Sequence, residues 1–106
     1  MHGSKFVAYV GPSSLHDGQV REVVQSEDKV TVHVEGGTGQ HIRLMFSGVS
    51  ELKAIEPVGM VLYALCEMSA ELPMRRFVFS NWSEDDPARL EVVAEGIEAE
   101  SYLPAV

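Results

Sequence analysis

Apolar and polar residues take turns along most of this chain. From Val30 to Glu35 the order is Val-Thr-Val-His-Val-Glu, so Val30, Val32 and Val34 share one face and Thr31, His33 and Glu35 the other. His41 to Phe46 repeats the period, with Ile42, Leu44 and Phe46 set against His41, Arg43 and Met45. A period of two is the mark of a half-buried strand, because successive side chains leave opposite faces. Keeping the apolar residues together pairs Val34 with Ile42, Val32 with Leu44 and Val30 with Phe46. That register leaves Gly37-Thr38-Gly39 as a three-residue hairpin loop, with Gly39 in the left-handed position such loops require. It also sets Glu35 beside His41 and His33 beside Arg43 on the outer face.

The rest of the chain is parsed by its breaks. Phe6 to Val10 is a short apolar run stopped by Gly11-Pro12-Ser13-Ser14; at that length periodicity does not separate a strand from a helical turn. Leu15-His16-Asp17-Gly18 ends in a turn dipeptide in which Gly supplies positive φ and Asp bonds nearby amides. Val20 to Gln25 follows as a strand, and its Val23-Val24 doublet predicts a β-bulge that reverses the facing halfway. Ser47-Gly48 breaks the strand after the hairpin, and Gly48 marks a corner in a curved sheet before Val49 to Ile55.

Met60 to Met68 reads two ways. As a helix over 58–71 it would start after Pro57 and carry an apolar stripe of Val58, Val61, Leu62, Leu65 and Met68. As a strand it puts Met60, Leu62, Ala64, Cys66 and Met68 on one face. The strand is preferred because the segments on both sides read as β and need a partner. Arg76 to Trp82 then places Phe77 and Phe79 inward, with Trp82 over one end of the core. Leu90, Val92 and Ala94 form a further inward face. Ile97 to Leu103 reads as an edge strand whose glutamates discourage aggregation.

Short strands at even spacing predict one all-β domain over residues 5–103, with tails at 1–4 and 104–106. The architecture expected is an antiparallel barrel, roll or sandwich of about six to eight strands. A chain of 106 residues can bury one modest core. The single Cys66 excludes an internal disulfide and reads as a buried, inert thiol. It fits a reducing, cytoplasmic setting. The N-terminus lacks the plan of a signal peptide. No apolar run approaches the roughly 18 residues of a membrane span, so no membrane association is expected.

Charge narrows the partners. The net charge is −8. Between Ser83 and Val106 stand Glu84, Asp85, Asp86, Glu91, Glu95, Glu98 and Glu100 against the single base Arg89. Such a surface repels phosphate backbones, which disfavours nucleic acid, and it suits a basic partner protein. Arg75-Arg76 would dock an anion or, more simply, offset these acids.

Candidate chemistry is sparse. His16-Asp17 is the only neighbouring His-Asp pair and would serve a metal or an acid/base site if a turn aimed both at one ligand. His33, His41 and Glu35 share a face with Arg43 and offer a second grouping. Against both stands the simpler reading of a turn and a solvated cross-strand polar face. There is no Gly-rich phosphate loop, no CxxC pair and no serine in a nucleophile elbow. No cofactor is implied. The binding candidates are His16, Asp17, His33, His41 and Arg43.

One resemblance can be drawn. Leu15-His16-Asp17-Gly18, the hairpin, Leu44-Met45-Phe46-Ser47-Gly48-Val49 and the late Leu90-Glu91-Val92-Val93-Ala94 together resemble a loose group of small bacterial proteins with "LHDG" near the N-terminus. Some of that group are described as YxiG-like or immunity-protein-like. The resemblance implies an all-β fold, no established enzyme activity and, for relatives near toxin loci, a partner protein. The expected function is therefore a non-enzymatic binding protein, immunity-like in type, engaging a basic partner through an acidic surface. The alternatives are a metal-dependent enzyme or metal site using His16 and Asp17, or a small-ligand pocket inside a barrel lined by Leu62, Met68, Phe77 and Phe79. The chain is expected to be a monomer or an edge-strand dimer.

Overall fold

A computed structural model describes residues 5–83 and 85–103. The tails expected at 1–4 and 104–106 lie outside the described residues. Among the described residues nine strands form: β1 (Phe6–Tyr9), β2 (Gln19–Ser26), β3 (Lys29–Glu35), β4 (His41–Ser47), β5 (Glu51–Ile55), β6 (Leu62–Met68), β7 (Arg75–Asn81), β8 (Arg89–Ala94) and β9 (Gly96–Tyr102). All the pairings are antiparallel. One sheet has the order β1-β6-β7-β8-β5 and the other β2-β3-β4-β9. The two pack as a sandwich. Neither closes on itself, so the barrel form of the expectation is set aside. Among the described residues the only helical element is one 3-10 turn at Ser13–Leu15.

The central hairpin has the register that its apolar alternation requires. Val30 pairs with Phe46, Val32 with Leu44 and Val34 with Ile42, and Gly39 has φ +91°. These six side chains are buried, and they meet Leu62, Leu65, Phe77, Phe79, Leu90, Val92 and Ala94 from the five-stranded sheet. Phe46 spans the gap, with its ring 5.3 Å from Phe77 and 6.1 Å from Phe79.

The sandwich arises because one long ribbon is folded in two. Residues of β4 and β5 run antiparallel to those of β9 and β8. At Gly48 (φ +63°) the first chain crosses from one sheet to the other. The second crosses beside it, where the Glu95 amide donates to Ser47 O and Gly48 O at 3.0 and 3.2 Å. The expected corner at Gly48 is thus a passage between two layers.

Two facings differ from the alternation read in the sequence, each because of one extra residue. In β2 the register shifts between Val20 and Glu22, so the bulge falls at Arg21 and not at the Val23-Val24 doublet. Val20 and Val23 consequently lie opposite the inward Val34 and Val32, and Val24 faces water. The ambiguous segment is a strand, held between β1 and β7; tertiary pairing overrides its helix-favouring composition. Its register shifts between Leu62 and Ala64. Leu62 and Leu65 therefore both point inward, while Ala64, Cys66 and Met68 turn to the outer face, contrary to a single face from Met60 to Met68.

Trp82 does not cover the core. It is 48% exposed, and Leu15, at 2%, fills that end instead. Leu15 is carried there by a tight turn. The Gly18 amide donates to Leu15 O at 2.9 Å, His16 has φ −61° and ψ 131°, and Asp17 has φ +64°. These are the angles of a type II turn, with Asp17, not Gly18, in the left-handed position. Gly18 is needed for a different reason. A Cβ there would lie 2.9 Å from Leu15 O, 2.9 Å from Val34 Cγ1 and 3.2 Å from Glu35 O. Gly18→Ala should therefore destabilise the fold by about 1–3 kcal/mol, the usual range for overpacking. Thermal unfolding of the variant checks it.

Candidate functional site

The five candidate residues separate into two groups on different surfaces. His33, His41 and Arg43 come together on the outer face of the four-stranded sheet. One row there runs Glu22, His33, Arg43, Glu100 across all four strands. The next brings Glu35, His41 and Tyr102 side by side. Tyr102 organises them. Its hydroxyl is hydrogen-bonded to His33 Nδ1 at 3.0 Å, and the Arg43 guanidinium lies 4.3 Å over its ring. His33 and His41 flank that ring at 5.8 and 5.7 Å. Arg43 also pairs with Glu100, and Glu35 accepts from Arg21 at 2.9 Å rather than turning to His41. Opposite charges and rings set across strands in this way support a sheet. Among the described residues no three His, Cys, Asp or Glu side chains converge as metal ligands.

His16 and Asp17 stand at the end of the sandwich, where the turn that positions Leu15 leaves both side chains in water. His16 Nδ1 donates to Tyr63 O at 2.9 Å. In the neutral ring that bond leaves the lone pair on Nε2, and Nε2 is 4.0 Å from Asp17 Oδ1. The His16 ring packs against Tyr63 at 5.4 Å and Trp82 at 5.2 Å. Tyr63 and Trp82 meet edge to face, 5.2 Å apart and at 89°. The three rings thus form a closed triangle. Tyr63 is 43% exposed; it is the extra residue of the β6 bulge, between Leu62 and Ala64.

The triangle borders a hollow of about 600 Å³ on the outer face of the five-stranded sheet, lined also by Val78, Ser80, Asn81, Arg89 and Glu91. Asn81 Nδ2 donates to Ala88 O at 2.8 Å, while its Oδ1 is buried without a hydrogen-bond partner. A second hollow of about 250 Å³ runs from His16 and Tyr63 to Tyr9. Leu62, Phe77 and Phe79 are packed in the core and Met68 sits on the outer face, so these four do not line one ligand cavity.

The sheet around this hollow differs from the other one. Its outer rows read Phe6, Met68, Arg76, Val93 and Tyr9, Cys66, Val78, Glu91. Most of these are apolar, and Cys66 and Val93 are buried there outside the core. The two arginines expected to meet an anion or offset the acidic tail are used locally. Arg76 lies 3.5 Å from Glu91, and Arg75 binds Glu67 through two bonds of 2.9 and 2.8 Å. The late acids do not gather on one face: Glu91 belongs to β8, Glu98 and Glu100 to β9 in the other sheet, and Asp86 caps the Ala88 amide at 2.9 Å. Glu84 lies outside the described residues.

The hydrogen bonds from Arg75 hold the Glu67 carboxyl below its ordinary value of 4.5, against the opposing effect of burial. Glu67 therefore contributes stability that is complete above that value and is lost as pH falls through its folded pKa. Wild type should exceed Glu67→Gln in stability at neutral pH, and the gap should close in acid. Urea unfolding at several pH values measures it.

The fold and this site define a class, an antiparallel β-sandwich with an exposed ring cluster at one end. No family model, no curated protein and no solved structure matches the chain. Tyr63, Trp82 and Tyr102 were not among the candidates read from the sequence. The signal present was their type, since large rings at strand ends and breaks are free to face solvent.

Proposed function

We propose that this chain is a non-enzymatic binding domain that recognises a partner protein through the His16–Tyr63–Trp82 cluster and the hollow beside it. One observation carries the reading. Three rings pack against one another and one is held by a backbone hydrogen bond, yet all three remain exposed, Tyr63 at 43%, Trp82 at 48% and the His16 side chain at 51%. The core does not use them, since Leu15 closes that end. Preorganised aromatic side chains lose little entropy on binding and dominate contact energies. Val78, which lines the hollow beside Tyr63 and Trp82, adds apolar contact area to them, as exposed apolar patches at interaction sites do.

The net charge of −8 suits a basic partner by long-range attraction, which speeds encounter. In an immunity-like role, as the resemblance at Leu15 to Gly18 implies, that partner would be a toxic protein. The acids then act through the overall field rather than as a single acidic face. Capture from source lysate by the wild type, Trp82→Ala and a variant with Glu95, Glu98 and Glu100 neutralised separates the two. Loss of one defined protein with Trp82→Ala and its retention with the neutralised variant supports the ring cluster. Equal recovery by wild type and Trp82→Ala overturns it.

A further inference from the structure

We propose that two copies of this chain associate edge to edge through β1. The sandwich has four edge strands, β1 and β5 in one sheet and β2 and β9 in the other. Three are guarded by charge: Arg21 and Glu22 on β2, Glu51 and Lys53 on β5, Glu98 and Glu100 on β9. Charged side chains on an edge are a standard defence against pairing with another strand. β1 reads Phe-Val-Ala-Tyr and has none. Its apolar side chains are also open to solvent, Phe6 at 53%, Val7 at 56% and Tyr9 at 63%. The Phe6 and Tyr9 rings meet at 4.9 Å to make one patch, continued on the outer face by Met68 and Cys66 opposite them.

Charge selects the occupant. Two copies carrying −8 each repel wherever acids would face acids. β1 offers a contact with no acid on it, and Lys5 just before it adds a base to each side. A basic partner of the kind proposed above gains nothing from an edge without acids. Antiparallel pairing of a strand with its own copy is self-complementary about a two-fold axis, so no second sequence is required. The strand is four residues long and its register shifts between Phe6 and Ala8, which limits the backbone bonds. Burial of Phe6, Val7 and Tyr9 supplies most of the contact, and the dimer is concentration-dependent. β1 pairs with β6, which carries Tyr63, and one hollow joins Tyr9 to His16 and Tyr63, so the pairing edge adjoins the ring cluster; neither Phe6 nor Val7 lines the hollows beside that cluster.

Sedimentation equilibrium over a range of concentrations tests this on the wild type, Val7→Lys and Val7→Glu, with Tyr9→Lys as a variant outside the β1 register shift. The wild-type mass should rise toward twice that of the monomer. Each variant alone should stay monomeric with an unchanged circular-dichroism spectrum, and a mixture of Val7→Lys with Val7→Glu should recover the dimer. A wild type that stays monomeric at its highest soluble concentration overturns the proposal. So does a dimer that survives in Val7→Lys or in Tyr9→Lys.

Discussion

Phe46→Ala should cost about 3–5 kcal/mol, the range for truncating a buried phenylalanine, and lower the unfolding midpoint by more than about 10 °C. Its ring meets those of both Phe77 and Phe79 across the sandwich. Phe46 is 1% exposed and lies at the β4 end where the ribbon crosses to the second sheet. Losing it opens a cavity that the two layers can close only by sliding the crossing at Gly48, which the Glu95 bonds to Ser47 and Gly48 resist. Phe46→Leu keeps most of the volume and should cost far less. Thermal and urea unfolding of both variants distinguish a cavity effect from general disruption.

Trp82→Ala should have the opposite profile. Stability should change by no more than about 0.5 kcal/mol, as for surface substitutions away from the core, because nearly half of the side chain is already in water. Partner affinity should fall by roughly 30-fold or more, the equivalent of about 2 kcal/mol for a central aromatic anchor. His16→Ala should fall between, since it removes one ring of the triangle and leaves Tyr63 O without its donor. Arg43→Ala on the other sheet should leave binding unchanged. Titration calorimetry with the captured partner gives these affinities.

The two largest effects fall on residues of very different legibility. Phe46 could be placed from the sequence because the hairpin is regular: a strict period of two and a Gly-rich loop of fixed length leave one register that buries all six apolar side chains. Trp82 and Tyr63 could not. Alternation locates a side chain only while the count of residues stays in step with the partner strand, and a bulge adds one residue without any mark in composition. The extra residue in β6, Tyr63, moved Leu65 in and Cys66 out. The extra residue in β2 sits at Arg21, three positions before the end of the valine doublet that suggested it. His16 and Asp17 were legible as a turn, yet the division of labour within it was not. Asp17 holds the left-handed position, and Gly18 is fixed by the approach of Val34 and Glu35, neighbours remote in the chain. His33, His41 and Arg43 were correctly set on one face by the hairpin register. Their organiser, Tyr102, comes from a strand whose pairing with β4 no local pattern announces.

The most direct measurement is amide hydrogen exchange on the chain alone and with its captured partner bound. Protection gained at Tyr63, Trp82 and the adjoining ends of β6 and β7, with no change at His33, Arg43 and Glu100, is the expected footprint. Protection confined to the outer face of the four-stranded sheet, with exchange around Tyr63 and Trp82 unaltered, would contradict the site described here.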